Sequence, residues 1–146
     1  MTKNTTEISI LIAEDDADDR YLLEAAFKEN GFNDTLYFVE NGIKALEFLE
    51  GLQEKDSGKD WPSLILLDLN MPKKDGREVL KEIKQSTIFK KIPVIVFSTT
   101  NNEMEMRRCY EMGANSYITK PSSFEGLIKT VAALRTYWLV TSRIPY

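Results

Sequence analysis

Carboxylates, a hydroxyl and a lysine stand at the ends of four short apolar runs in this sequence. Asp68 directly follows one run, three consecutive acids at 14–16 follow another, and Ser98 and Lys120 follow two more. Crowded carboxylates raise one another's pKa unless a cation holds them, and Mg²⁺ suits such a cluster because it takes oxygen ligands and works with phosphate. The lysine offers a charge, and the serine a donor, to phosphate oxygens. These residue types therefore indicate magnesium-dependent chemistry on a phosphoryl group.

Five predicted strands must position these residues, and a predicted helix follows each strand. Short β-prone runs at 8–13, 36–39, 64–67, 93–97 and 115–119 alternate with segments whose apolar residues have helical spacing. This alternation is typical of an α/β fold, a doubly wound parallel sheet with helices on both faces. The carboxyl ends of parallel strands lie at one edge of the sheet, where ligands bind. We therefore expect the polar groups to meet at this edge.

Polar residues that could serve as caps precede four of the predicted helices. We expect Asn41 to cap the second helix, Asp75 the third and Asn101 the fourth, while Ser122 begins the capping-box spacing of the fifth. Residues 51–62 are polar and contain glycine, serine and proline, so they are predicted to form a surface connection.

Composition limits the classes of protein to which the chain can belong. The 146 residues are 42% hydrophobic and 29% charged, which predicts one domain over 1–146, with a core at about 8–137 and an apolar tail at 138–146. The net charge of −4 and the lack of a basic stripe argue against nucleic-acid or membrane partners. A polar start without signal-peptide features and a single cysteine, Cys109, favour a cytoplasmic location. The absence of histidine excludes Ser–His and Cys–His nucleophile pairs.

Four segments, in this order and at these intervals, resemble the receiver domain of two-component response regulators. They are ILIAEDD, LILLDLNMPKKDG, PVIVFST and YITKP, and the resemblance to this chemotaxis-type domain covers about residues 8 to 137. It implies a five-stranded, flavodoxin-like sheet of order 2-1-3-4-5. It also implies a protein that is phosphorylated by a histidine kinase and signals by protein contacts, rather than an enzyme.

The resemblance implies a role for each residue around the phosphorylated position. Asp68 matches the phosphoacceptor, which attacks a phosphohistidine of the partner kinase. Asp15 matches a direct Mg²⁺ ligand, Glu14 matches an acid that acts through water, and Asn70 matches a residue that offers its backbone carbonyl to the metal.

Further positions match residues that bind the phosphoryl group and transmit its presence. Ser98 and Lys120 match the hydroxyl and the lysine that contact phosphoryl oxygens, and the peptide bond after Lys120 matches a cis X–Pro bond of the family. Ser98 and Tyr117 match a switch pair in which the hydroxyl moves and the aromatic ring turns inward. Asn70 and Thr100 match positions that tune self-dephosphorylation.

Three features resemble a narrower group, the stand-alone regulators that partner bacterial phytochromes. These features are the 51–62 connection, the segment NMPKKDGREVL and the apolar tail. The likeness implies a bacterial phytochrome as the kinase, and a homodimer formed through the last strand, its flanking helices and the tail at 138–146. Docking of the tail on its own domain is the alternative.

Some of these residues could have simpler structural roles, and the chain as a whole could have a different function. Asp16 could act only on the N-terminus of the next helix, Tyr117 could be a static core residue, and Lys120 alone could be solvated. A magnesium-dependent phosphohydrolase with Asp68 as nucleophile is one rival function, although such enzymes usually carry a second carboxylate where this chain has Asn70. A receiver-like binding module that takes no phosphate is the other.

Overall fold

The structure, a computed structural model, describes residues 8–55 and 61–141. Within them, five strands alternate with five helices, and a π-helical segment, Thr136–Thr141, follows the last helix. The strands are β1 (Ser9–Ala13), β2 (Thr35–Val39), β3 (Leu64–Leu67), β4 (Val94–Ser98) and β5 (Ser116–Thr119). The helices are α1 (Ala17–Glu29), α2 (Gly42–Lys55), α3 (Gly76–Gln85), α4 (Glu103–Glu111) and α5 (Phe124–Arg135). No helix in this part of the chain combines the length and the apolar character needed to cross a membrane.

The strands pair in parallel in the order β2-β1-β3-β4-β5. The central strands β3 and β4 are buried along their whole length, which explains their unbroken apolar sequences. Ala13 of β1 lies beside Leu67 of β3, and Leu67 lies beside Val96 of β4, so neighbouring strands end at nearly the same level. The predicted fold class and strand order are confirmed.

Helices cover both faces of the sheet with apolar layers. On one face, α1 and α5 contribute Phe27 and Val131. On the other face, α2, α3 and α4 contribute Leu49, Leu80 and Cys109. Successive residues of a strand point to opposite faces, so each short run packs against both layers. This packing fixes the strand ends relative to one another.

Two of the predicted helix caps are confirmed. The Asn41 side chain accepts a hydrogen bond from the backbone N–H of Lys44 at 2.8 Å. The Asp75 side chain accepts one from the backbone N–H of Arg77 at 2.7 Å, and Asp75 is the N-cap of α3. Both satisfy helix N–H groups that have no partner within the helix.

The other two predicted caps are wrong by one residue. The cap of α4 is Asn102 rather than Asn101, and the cap of α5 is Ser123 rather than Ser122. In both, the side-chain oxygen accepts from the backbone N–H three positions on, at 3.1 and 3.0 Å. A cap needs an extended backbone and this reach at once, and the sequence does not show which of two adjacent residues of the same type has both.

Helix α2 is longer than the sequence predicts. It continues to Lys55, so the first part of the predicted 51–62 connection is helical. Leu52 is buried in the core beyond Gly51, and this burial extends the helix past a residue of low helix propensity. Residues 56–60 of the predicted connection lie outside the described residues.

The start of the apolar tail lies against its own domain. Trp138, in the π-helical segment, packs on the layer that α1 and α5 form, and its ring and that of Tyr137 form a T-shaped pair with 5.2 Å between centroids. Residues 142–146 of the predicted tail lie outside the described residues.

Candidate functional site

Four strand ends bring the predicted site residues to one edge of the sheet. Glu14 and Asp15 follow β1, Asp68 follows β3, Ser98 ends β4 and Lys120 follows β5. The backbone N–H of Lys120 donates to the carbonyl oxygen of Ser98 at 2.7 Å, so the β4–β5 pairing extends up to the site. The sequence expectation that these groups converge is met.

Three carboxylates form the centre of this edge. One oxygen from each of Glu14, Asp15 and Asp68 lies within 4.8 Å of the other two. Glu14 and Asp68 are buried, at 2% and 6% exposure, whereas Asp15 is exposed. A donor set made only of oxygens on one open side fits a hard divalent cation that keeps some of its water. The cluster can therefore hold a metal ion.

Burial perturbs the acids of this cluster. It raises the pKa of Glu14 to about 7, although the hydrogen bond from Lys120 opposes the change. Burial also raises the pKa of Asp68, again against the attraction of Lys120. Without a cation, the cluster thus retains protons closer to neutral pH than ordinary carboxylates do, and a bound cation would compete with them.

Lys120 provides the positive charge of the site. Its Nζ donates to Glu14 Oε1 at 2.7 Å and to Asp19 Oδ2 at 3.2 Å, and it lies 3.7 Å from Asp68 Oδ2. Burial alone would lower the pKa of Lys120, but its carboxylate partners, Glu14 first, raise it above the usual value. The expected cis bond after Lys120 is wrong, because the described residues contain no cis peptide bond. The strand β5 is separated from β3 by β4, and the lysine side chain spans this distance to reach Glu14 Oε1 at 2.7 Å.

A tight loop holds Asp68 in place after β3. The backbone N–H of Asn70 donates to Asp68 Oδ1 at 3.3 Å, while the Asn70 side chain is exposed. The backbone N–H of Gly76 donates to Leu69 O at 2.9 Å. A Cβ on Gly76 would lie 2.2 Å from the carbonyl oxygen of Asp68, so only glycine allows this approach.

Ser98, Thr100 and Tyr117 are linked to one another near the carboxyl end of β4. Ser98 is fully buried, and its Oγ accepts from the backbone N–H of Thr100 at 3.3 Å. The Tyr117 hydroxyl donates to the backbone carbonyl of Thr100 at 2.8 Å. The two predicted switch residues are thus linked through one loop residue. Thr99, which stands between Ser98 and Thr100 in the sequence, is exposed.

Two further acids belong to this edge, and only one of them had a predicted role. Asp16 is the N-cap of α1 and accepts from the backbone N–H of Asp19 at 2.9 Å, which confirms the simpler role for this residue. Asp19 contacts Lys120 and was not among the residues predicted from the sequence. The feature of the sequence that could have identified Asp19 is its position in the first turn of the helix that follows the acidic pair.

The sequence and the fold also match a known family. A model of the response regulator receiver domain matches residues 10–132, so the chain belongs to this family of two-component signalling proteins. The match indicates a receiver domain and no catalytic enzyme family.

Particular relatives resemble the chain over nearly its whole length. It is 40% identical to response regulator Rcp1 of Synechocystis over 136 residues, which are 93% of this chain and 92% of Rcp1. It is 39% identical to the probable methanogenesis regulatory protein FilR2 of Methanothrix harundinacea, over 93% of this chain and 86% of that protein. The solved structure of the phosphorylated cyanobacterial phytochrome response regulator RcpA superimposes with a TM-score of 0.87 at 37% identity, covering 97% of this chain and all of RcpA. The Mn²⁺-bound form of Rcp1 gives a TM-score of 0.83 at 40% identity, over 95% and 99% of the two chains.

Proposed function

We propose that this protein is a single-domain response regulator that is phosphorylated on Asp68 in a Mg²⁺-dependent reaction. The observation that carries the proposal is the position of the Asp68 carboxylate, which has an oxygen within 4.8 Å of oxygens of Glu14 and Asp15 and lies 3.7 Å from the ammonium of Lys120. In the reaction, an Asp68 oxygen attacks the phosphorus of a phosphohistidine, the P–N bond breaks, and an acyl phosphate forms as imidazole leaves. Lys120 offsets negative charge on the transferred phosphoryl group.

The acids at the ends of β1 and β3 would hold the cation. Asp15 and Asp68 would be direct ligands, Asn70 would contribute its backbone carbonyl, and Glu14 would act through water. When bound, Mg²⁺ supplies positive charge to phosphoryl oxygens. The all-oxygen donor set and the Mn²⁺ found in the related Rcp1 structure support this assignment. We propose no role for the protein as an enzyme on external substrates, since Asn70 stands where phosphohydrolases usually carry a second acid.

Phosphorylation would change protein contacts through Ser98 and Tyr117. The Ser98 hydroxyl would bind the phosphoryl group and release Thr100, whose carbonyl accepts from Tyr117. The loops and the helix after Ser98 would have two arrangements before phosphorylation, and the new dianion would shift the populations of these arrangements. Asn70 and Thr100, which flank the site, would tune self-dephosphorylation. Ser98→Ala should leave Asp68 phosphorylatable but weaken binding of the phosphorylated protein to its target; equal affinity of mutant and wild type would contradict this.

The proposed partners are a histidine kinase and a second copy of the chain. Similarity to phytochrome response regulators supports a bacterial phytochrome as the kinase, and such phosphotransfer supports a cytoplasmic location. A homodimer would use β5, its flanking helices and the tail; the net charge of −4 gives no basis for a nucleic-acid partner. Light scattering on a version ending at Trp138 tests the tail, because an unchanged dimer would exclude residues after 138 from the interface.

Intact mass after incubation with acetyl phosphate and Mg²⁺ tests the central claim. The wild type should gain one phosphoryl group, Asp68→Asn should gain none, and EDTA should abolish the reaction of the wild type. Asp18→Asn is the matched control, because Asp18 is an exposed acid of α1 and the substitution changes the net charge equally. A folded wild-type protein with no adduct, even after rapid trapping, would refute the proposal. Steady turnover of p-nitrophenyl phosphate would favour the phosphohydrolase instead.

A further inference from the structure

Asp19 is a carboxylate partner of the site lysine in addition to Glu14. Its Oδ2 lies 3.2 Å from Lys120 Nζ, and its side chain is 41% exposed. Lys120 Nζ lies closer to Asp19 and Glu14 than to Asp68, which is 3.7 Å away and beyond hydrogen-bond distance. An ammonium has three N–H donors, and two of them are directed to Asp19 and Glu14.

The backbone at the start of α1 fixes this position of Asp19. The side chain of Asp16 accepts from the backbone N–H of Asp19 at 2.9 Å. The side chain of Glu14 in turn accepts from the backbone N–H of Asp16 at 3.2 Å. The backbone of Asp19 is therefore held in register with the acidic pair, which places its side chain within reach of Lys120.

A phosphoryl group on Asp68 would compete with Asp19 for the same ammonium. The group brings oxygens with nearly two negative charges, and Lys120 must turn towards them to form a hydrogen bond. We infer that Asp19 is a positioning residue, which holds Lys120 back from Asp68 and so slows phosphorylation. This inference rests on the function proposed above and assigns a regulatory role within that site to a residue outside its predicted set.

Neutralising Asp19 should therefore speed the reaction. Asp19→Asn keeps the size of the side chain and leaves the Asp16 cap intact, because the cap uses the backbone of residue 19. A partly exposed ion pair contributes modestly, so we expect a rate constant for phosphorylation by acetyl phosphate about two- to fivefold above wild type. Asp19→Glu, which keeps the charge, should be phosphorylated at close to the wild-type rate. Asp18→Asn, in the same turn, should behave like wild type.

A spectroscopic measurement separates this role from a merely structural one. In NMR spectra of the full chain with Mg²⁺, the Cε signal of Lys120, assigned by its loss in Lys120→Met, should shift in Asp19→Asn and stay in place in Asp18→Asn. The rate and the NMR signal are both measured on the wild type and on each variant, at low and at high salt. The gain in rate should shrink at high salt, which screens charge.

The outcomes distinguish the inference from the proposed function. If the wild type takes no phosphoryl group, the proposed function fails. If the wild type is phosphorylated but Asp19→Asn reacts no faster than Asp18→Asn, the function stands and the inference is wrong. A slower Asp19→Asn, or a faster one in which the Lys120 signal does not move, also overturns it, because Asp19 would then act in another way.

Discussion

Replacing Asp68 with asparagine should stabilise the metal-free protein, because the site holds more negative charge than its surroundings balance. One oxygen from each of Asp68, Glu14 and Asp15 lies within 4.8 Å of the other two. At an effective dielectric constant of about 20, two unit charges at that distance repel by about 3–4 kcal/mol. Lys120, 3.7 Å from Asp68, returns about 4–5 kcal/mol, which does not offset two such repulsions and the desolvation of the carboxylate. Because Asp15 is exposed and screened, we expect a net gain of about 1–2 kcal/mol in the free energy of unfolding.

Urea unfolding at pH 8 in EDTA measures this gain. Trp61 and Trp138 are both half-buried and pack on opposite layers of the fold, so their fluorescence reports unfolding. The expected gain corresponds to a rise of about 0.5–1 M in the urea midpoint. Asp18→Asn removes the same unit of charge from an exposed position and should change the midpoint little. Added Mg²⁺ should stabilise the wild type and have much less effect on Asp68→Asn, which has lost one ligand.

Two results would refute this reasoning. An Asp68→Asn protein no more stable than the wild type in EDTA would mean that Lys120 balances the charge of the cluster. An equal stabilisation of both proteins by Mg²⁺ would mean that Asp68 is not a ligand of the ion.

Further predictions concern pH, the loop after β3 and a second ion pair. Stabilisation by Mg²⁺ should be larger at pH 8 than at pH 6, because Glu14 has a pKa of about 7 and protons compete with the cation; equal increments in thermal unfolding would contradict this. In the metal-free protein the raised pKa of Glu14 has the opposite effect: its contribution to stability is present below pH 4.5 and is lost as the pH rises through about 7. Gly76→Ala should cost more than about 2 kcal/mol in urea unfolding, because the new Cβ would lie 2.2 Å from the carbonyl oxygen of Asp68. Arg135→Met should lower the free energy of unfolding by about 3 kcal/mol, because the Asp34 side chain is 3% exposed and would lose its partner at 2.7 Å. Arg135→Lys, which keeps the positive charge, should lower it less. Equal losses in the two variants would show that the charge of residue 135 does not account for the stabilisation.

The receiver fold was predictable because its signals are local and repeated. Each strand is a short apolar run, each helix has apolar residues on one face, and their alternation leaves few topologies for a parallel sheet. The strand order itself came from the resemblance to a family, because local periodicity does not state which strands pair. The caps Asn101 and Ser122 were wrong by one residue because neighbouring Asn and Ser residues have the same capping chemistry.

Interactions between distant segments could not be predicted in this way. Lys120 and Asp19 are 101 positions apart, and so are Arg135 and Asp34. Each pair forms only if a helix packs beside a strand end or another helix so that the distance between the two charged groups is right to within about an ångström. Nothing in the local sequence of either partner sets that distance.

The sequence by itself determined which groups stand at the carboxyl edge of the sheet. A polar residue that ends an apolar strand has to emerge there once the strands are parallel, and this was enough to bring Asp68, Glu14, Asp15, Ser98 and Lys120 together. Only the tertiary structure decided how these groups share their charges. Burial raised the pKa of Glu14 to about 7, and the packing of α1 gave Lys120 a third carboxylate, Asp19, within reach. Both effects depend on solvent exclusion and interatomic distance, which arise only when the chain is folded.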